Sequence, residues 1–362
     1  MKFDLCRVAT FLILGFSACL GTHQAGATAL CADSATALFN DLKAYSDGGA
    51  HNGDDLEIRL VIGEYDVGSA TGNKAFTYHS TAPSGYVSIQ GGWADDCAYQ
   101  VPGAEDVTLD GGGKAQVLKI DNEFGGVYVD QLIIQDGVTN AQGAGLAINT
   151  AVSGGGLVQV LRCIIQNNYT STTVGGLAAY ASGASNFMMI GDNLIINNIA
   201  ATEYGAAYTD GDSVNYNFVE NNTVYGNTTS AGTVGGFVAG GRSSPSNSVF
   251  VSSNIFYGNT HTGLYMIGEA GTVDYNDYGS IDGVVPDELI GNVSVAPKFV
   301  DAAGGDFHLS SASPLIGLTT KVLGGYCDPY SDLDGHQRDF YSGCDPGPYE
   351  ETIFRGGFQE LK

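Results

Sequence analysis

Basic residues are scarce in this chain: 14 Lys and Arg stand against 39 Asp and Glu, a formal charge of −25. A surface this acidic repels nucleic-acid phosphates and anionic lipid, which excludes nucleic acid as a partner. It also disfavours polyuronates and sulfated glycans, unless a local basic groove or bridging calcium intervenes. Long apolar runs are missing beyond the leading segment, so no transmembrane segment of the ~20 apolar residues that cross a bilayer is expected. The six histidines form no cluster. Zinc-ligand spacing, a phosphate loop, a Ser-His-Asp order and a dinucleotide fingerprint are all absent, which removes the best-marked enzyme classes.

What is present starts with residues 1–29, which read as a secretory signal. Lys2 and Arg7 precede the apolar run Val8 to Phe16, and Ala27-Thr28-Ala29 supplies a small-residue cleavage site. Secretion or display at the cell surface follows, with lipid attachment at Cys19 as an alternative anchoring route. Beyond that segment remain Cys31, Cys97, Cys163, Cys327 and Cys344, a number suited to an oxidising compartment. The expected disulfides are Cys31–Cys97 and Cys327–Cys344. Cys163 falls inside an apolar strand and reads as a buried, inert thiol.

Glycine is abundant, with 53 residues, but has no collagen period. Internal repetition is the strongest signal. Segments beginning at Gln131, Arg162, Asn193, Asn222 and Asn254 align by eye, with steps of 31, 31, 29 and 32 residues. A second set, beginning at Gly145, Gly176, Gly205, Gly236 and Gly263, keeps the same beat, and a third apolar segment precedes each first-set member. Three short strands per coil, each coil unable to bury its own face, predict an all-β parallel solenoid of the right-handed β-helix type. The alignment places Ile133, Ile164, Ile195, Val224 and Phe256 in one interior column, and Leu146, Leu177, Ala206, Phe237 and Leu264 in another. It also places Asp136, Asn167, Asn198, Asn227 and Asn259 at one corner. Stacked amides there suit a structural ladder of Asn167, Asn198, Asn227 and Asn259.

The expected organisation is a signal over 1–29, an N-terminal cap over 30–55, the β-helix over 56–292, a C-terminal cap over 293–350 and a tail over 351–362. Ala35, Leu38, Leu42 and Tyr45 lie at helical spacing and predict a short amphipathic helix that covers the first open strand edge.

With these repeats, the chain resembles the pectin-lyase-like superfamily of right-handed β-helices, and within it exported bacterial surface proteins. The Asn193 to Asn198 phrase and Gly175-Gly176-Leu177 also resemble repeats of polymorphic outer-membrane proteins. Pro297 to Asp301, Gly305 to Leu309, Ser313-Pro314, Asp332 to Gly335, Arg338 and Asp345 to Glu350 together resemble a choice-of-anchor C-terminal module. Gly317-Leu318 and Gly347-Pro348 depart from its pattern. The tail Ile353 to Phe358 resembles short terminal tags of exported proteins.

Known relatives of that fold include polysaccharide lyases and polygalacturonase-like hydrolases, so the resemblance implies a search for their chemistry. A lyase needs a base, often arginine, beside calcium. Arg242 is the one credible base, because Arg162 shares its alignment position with Gln131, Asn193, Asn222 and Asn254 and reads as a turn residue. The hydrolase signatures do not occur in order, and Asp54-Asp55 and Asp95-Asp96 lie outside the regular coils. Alignment brings Asp130 to the position of Asp192, and Glu220 to that of Asp274. These four could line one edge at rung multiples of ~5 Å, a spacing suited to calcium or sugar hydroxyls, or could be a solvated acidic edge. Asp210 and Asp212 form a turn that could hold a cation. Asp332, Asp334 and Asp339 resemble part of a calcium loop with incomplete ligand spacing.

Tyr180, Tyr204, Tyr225, Tyr257 and Tyr265 lie on or near strands, where outward rings suit stacking on sugars. Packing of the Tyr225 and Tyr257 stripe against a loop is the other reading. The leading functional expectation is an exported, non-catalytic adhesion or glycan-binding protein. The alternatives are a polysaccharide-active enzyme, lyase before hydrolase, and a structural envelope component.

Overall fold

The computed structural model describes residues 28–103, 106–151, 157–182, 186–210, 214–241, 248–268, 271–319, 331–338 and 344–351. They form a parallel β-solenoid. One sheet of ten strands runs from Thr28–Ala32 and Leu56–Val61 to Thr272–Asp274 and Glu288–Ile290. A second sheet of eight strands runs from Gly63–Asp66 to Asp277–Tyr278, and a third, also of eight, from Phe76–Ser80 to Ile281–Gly283. A representative coil passes through Leu157–Leu161, Ile164–Gln166, the two-residue strand Tyr169–Thr170, and Leu177–Ala181. That short strand belongs to a fourth, four-stranded sheet at a corner of the middle coils. Parallel pairing starts at Thr28–Ala32, one strand ahead of Leu56.

The interior is a stack of identical positions. Ile134, Ile165, Ile195, Val224 and Phe256 form one column of the core. Ile133 and Ile164, expected inside, point to the opposite face, because the pairing sets Ile165 on Ile195 rather than Ile164 on Ile195. A one-residue difference in register exchanges every side chain between faces. Leu146, Leu177, Ala207, Phe237 and Leu264 form the other column, so Ala207 takes the register place expected of Ala206, although both alanines are buried.

Two amide ladders run along the corners. In one, the Asn168 backbone N–H and Nδ2 both donate to Asn198 Oδ1, Asn198 repeats the pattern on Asn227, and Asn227 on Asn259. Asn168, not Asn167, is therefore the first member. Asn167 holds φ 56° beside Asp136 at 52° and Asn197 at 55°, a column of left-handed residues one step before the ladder. A second ladder, Asn193, Asn222, Asn254, Asn276 and Asn292, uses the same bonds. Each buried amide also donates to a strand-end carbonyl, as Asn222 does to Ile190 O at 2.8 Å. Corner backbone groups that the turns leave unpaired are thus satisfied from side chains.

The helix Ala35–Tyr45 forms as expected, with Ser34 Oγ accepting from the Ala37 N–H and with Ala35, Leu38, Leu42 and Tyr45 buried. It covers the first coil. Cys31 and Cys97 are disulfide-bonded, and Cys163 is free and buried. Cys344 is disulfide-bonded, while Cys327, its expected partner, lies outside the described residues.

Among the described residues, the stretch from 293 onward packs along the flank of the coil. The antiparallel pair Phe299–Asp301 and Asp306–Leu309 precedes a stretch that packs Phe307, Leu333 and Tyr349 against Ile164, Leu194 and Ile196. Outward apolar residues of the second sheet are thereby buried. Among the described residues, no helix is long and apolar enough to cross a membrane.

Candidate functional site

The acidic edge is rearranged by register and then covered. Asp130, Glu220 and Asp274 share one outward column of the first sheet with Leu161, Gly191 and Ser252. Asp192 belongs to the neighbouring corner column of left-handed residues, with Gln131, Arg162, Asn221, Ser253 and Tyr275. Arg162 accordingly does not share the position of Asn193, Asn222 and Asn254. It makes a bidentate pair with Asp130, Nε to Oδ1 at 2.9 Å and Nη2 to Oδ2 at 2.6 Å. Its Nη1 reaches Ser331 Oγ at 3.3 Å, and both carboxylate and guanidinium are withdrawn from solvent.

Asp192 is engaged from the flank. The fully buried Arg338 donates to Asp192 Oδ1 through Nη2 at 2.5 Å and Nε at 3.1 Å, to Glu350 Oε2, and to the Asp345 and Gly347 carbonyls. Asp332 Oδ2 accepts from the Glu350 N–H, and its Oδ1 from the His336 N–H. Asp332 and Asp334 are thus structural acceptors, and Asp334 takes the His308 imidazole at 2.8 Å. Asp339 lies outside the described residues.

Glu220 stands apart within this edge. It is buried, its Oε1 has no hydrogen-bond partner, and burial, followed by the nearby Asp192 charge, pushes its pKa up to about 8. Asp274 is raised to about 6, first by burial. A solvated edge that gathers sugar hydroxyls would need these carboxylates accessible, and Asp130, Asp192 and Glu220 are closed off. Asp210 is buried as well, and its Oδ2 accepts the Tyr208 hydroxyl at 2.7 Å. Asp212 and Arg242 lie outside the described residues. Among the described residues, no three His, Cys, Asp or Glu side chains converge to hold a metal ion.

The tyrosines divide. Tyr225 and Tyr257 share a column with Gln135, Gln166 and Ile196, not with Ile134 and Ile165. Tyr225 packs edge-on against Phe299 and Phe307 of the flanking segment, so packing against a loop is the reading that holds for that ring. On the outer face of the third sheet, Tyr180, Tyr204 and Tyr265 gather around Tyr208. Tyr204 stacks on Tyr208 at 5.1 Å, and Tyr180 lies tilted against it at 5.2 Å. Parallel register produces this cluster, because Ala178, Tyr208, Val238 and Tyr265 occupy one column.

Beside this face lies a broad, shallow groove of about 550 Å³, lined by Asn73, Lys114, Gln116, Asn140, Tyr169 and Ser171 among others. It spans consecutive coils at the corner where the two-residue strands run. Tyr169 is 42% exposed there, and Lys114 has no ion-pair partner among the described residues. Gln142 links groove to tyrosines: its carbonyl accepts from Gln116 Nε2 at 2.9 Å, and its Oε1 from the Tyr180 hydroxyl at 2.5 Å. The groove was not singled out from the sequence, since Asn73, Lys114 and Tyr169 are far apart in the chain and the two-residue strands Val138–Thr139 and Tyr169–Thr170 belong to none of the three aligned sets. No family model matches this chain, and neither the curated proteins nor the solved structures include a match to it.

Proposed function

We propose that this chain is an exported β-helix protein of the pectin-lyase-like kind that binds polysaccharide without cleaving it. The observation that carries the reading is the exposed Tyr169 ring in a groove lined by amides and hydroxyls, which Gln142 joins to the half-buried Tyr180. A tyrosine ring offers apolar area to the C–H face of a sugar, and amides and hydroxyls answer its hydroxyl groups. Asn73, Asn140, Ser171 and Lys114 supply such groups beside Tyr169. The acids that a lyase or hydrolase would need are instead engaged or buried at the flank, and the acidic chain as a whole favours neutral over polyanionic glycans. The disulfide Cys31–Cys97 supports an oxidising compartment, in line with the leading segment. The flank-packed stretch through Arg338 and Glu350 is the choice-of-anchor-like module, here holding itself to the coil.

The test is retention of the purified protein on a panel of insoluble and gel-immobilised neutral glycans, with and without calcium. Unsaturated products and new reducing ends are followed in the same tubes. Retention that falls about tenfold in Tyr169→Ala, corresponding to ~1.4 kcal/mol, is expected, with no product formed. Product formation, or retention indifferent to Tyr169, would overturn the proposal.

A further inference from the structure

The two ends of the solenoid differ. The first coil is covered by the helix Ala35–Tyr45, whereas among the described residues no element covers the last coil. The interior column Val129, Val160, Ile190, Val219, Val251 and Val273 ends on Leu289, which is 51% exposed. Ile281 ends the column of the third sheet, and Val285, in the turn between the two terminal strands, is 77% exposed. Among the described residues, no strand pairs with the outer edge of Glu288–Ile290 or Ile281–Gly283. Glu288 N–H and the Ile290 carbonyl bond inward to the preceding coil. In a parallel ladder the alternate residue faces the other way, so Leu289 presents its N–H and carbonyl to the open side.

A solenoid end of this kind is a template for one more strand. Its charge indicates which strand. From 243 to 297 the sequence contains no Lys or Arg, and Asp282, Asp287 and Glu288 stand along the open rim. A second copy would bring the same acids against these, which opposes end-to-end self-association. We propose that the open end docks an extended segment of a partner protein by strand addition, with apolar residues of that segment over Leu289 and alternate Lys or Arg residues facing the rim acids.

The probe is a fluorescein-labelled eight-residue peptide of alternating Lys and Val, followed by fluorescence anisotropy with the full chain at low and moderate salt. A Glu/Val peptide of the same length serves as the control. Leu289→Pro removes the outward N–H on an edge strand while leaving the bonds of Glu288 and Ile290 in place. Saturable binding of the Lys/Val peptide, weakened at least tenfold by Leu289→Pro and separately by Asp287→Lys, is expected, with no binding of the Glu/Val peptide. Binding unchanged in both variants would reduce the effect to general attraction by an acidic protein and overturn the proposal. So would a dimer in light scattering that Leu289→Pro dissolves, or peptide binding that appears only when residues 352–362 are removed, which would assign the end to a second copy or to the chain's own tail.

Discussion

Replacing Asn168 by alanine should destabilise the solenoid more than replacing its neighbour Asn167 by glycine. The Asn168 amide is fully buried, accepts the Gly137 N–H at 2.8 Å and donates to the Ile134 carbonyl at 3.1 Å. Asn198 Oδ1 keeps the backbone N–H of residue 168 as a donor, and the parallel register leaves the Ile134 carbonyl its strand partner, so one buried group, the Gly137 N–H, loses its partner. Such a loss costs about 2 kcal/mol. With a urea dependence of ~3 kcal/mol per molar, the unfolding midpoint should drop by about 0.7 M at unchanged slope. Asn167→Gly, at a residue already in the left-handed region, should stay within ~1 kcal/mol of the parent. Equilibrium urea unfolding by far-ultraviolet circular dichroism measures both. Equal midpoints for the two variants would refute the assignment of the ladder, and with it the register of the middle coils.

Three further outcomes follow from the flank and the first coils. Arg338→Met removes the guanidinium that Asp192 and Glu350 share, at a cost of about 3–5 kcal/mol, so the flanking segment should become the first site of limited proteolysis. Because the pKa of Glu220 is raised to about 8 in the fold against 4.5 in the unfolded chain, the folded state holds the extra proton. Stability associated with this group is therefore complete below about pH 4.5 and lost as pH rises through about 8. Glu220→Gln should leave the midpoint at pH 4 unchanged and raise it at pH 8, and a parallel loss in parent and variant would refute the assignment. The Cys31–Cys97 bond closes a separation of 66 residues, for which chain entropy gives ~4 kcal/mol. Cys31→Ser with Cys97→Ser should lower the thermal midpoint accordingly, and an unchanged midpoint would mean the first coils are held by packing alone.

Composition and period made the architecture legible. The repeat of apolar segments, the glycine content and the spacing of Ala35, Leu38, Leu42 and Tyr45 were enough for a parallel solenoid with a helix on its first coil, and cysteine positions were enough for Cys31–Cys97. Those signals are local or periodic, and each is written in contiguous residues. Register was not legible in the same way. Ile164-Ile165 is apolar at both positions, so alternation could not say which isoleucine faces inward, and the adjacent Asn167-Asn168 pair could not say which amide joins the ladder. The outward isoleucine is tolerated only because Phe307, Leu333 and Tyr349, more than a hundred residues later, cover it. The acids show the same division. That Asp130, Asp192 and Glu220 lie near one edge followed from the repeat, but the pairing of Asp130 with Arg162 depends on register, and the engagement of Asp192 by Arg338 depends on a flanking segment that has no period. Sequence by itself determined the coil, because stacking strands at ~4.8 Å rewards any repeated apolar position. Tertiary structure decided which face each residue occupies and which surfaces stay open, because a single step of register reverses every side chain and burial by a distant segment leaves no local mark.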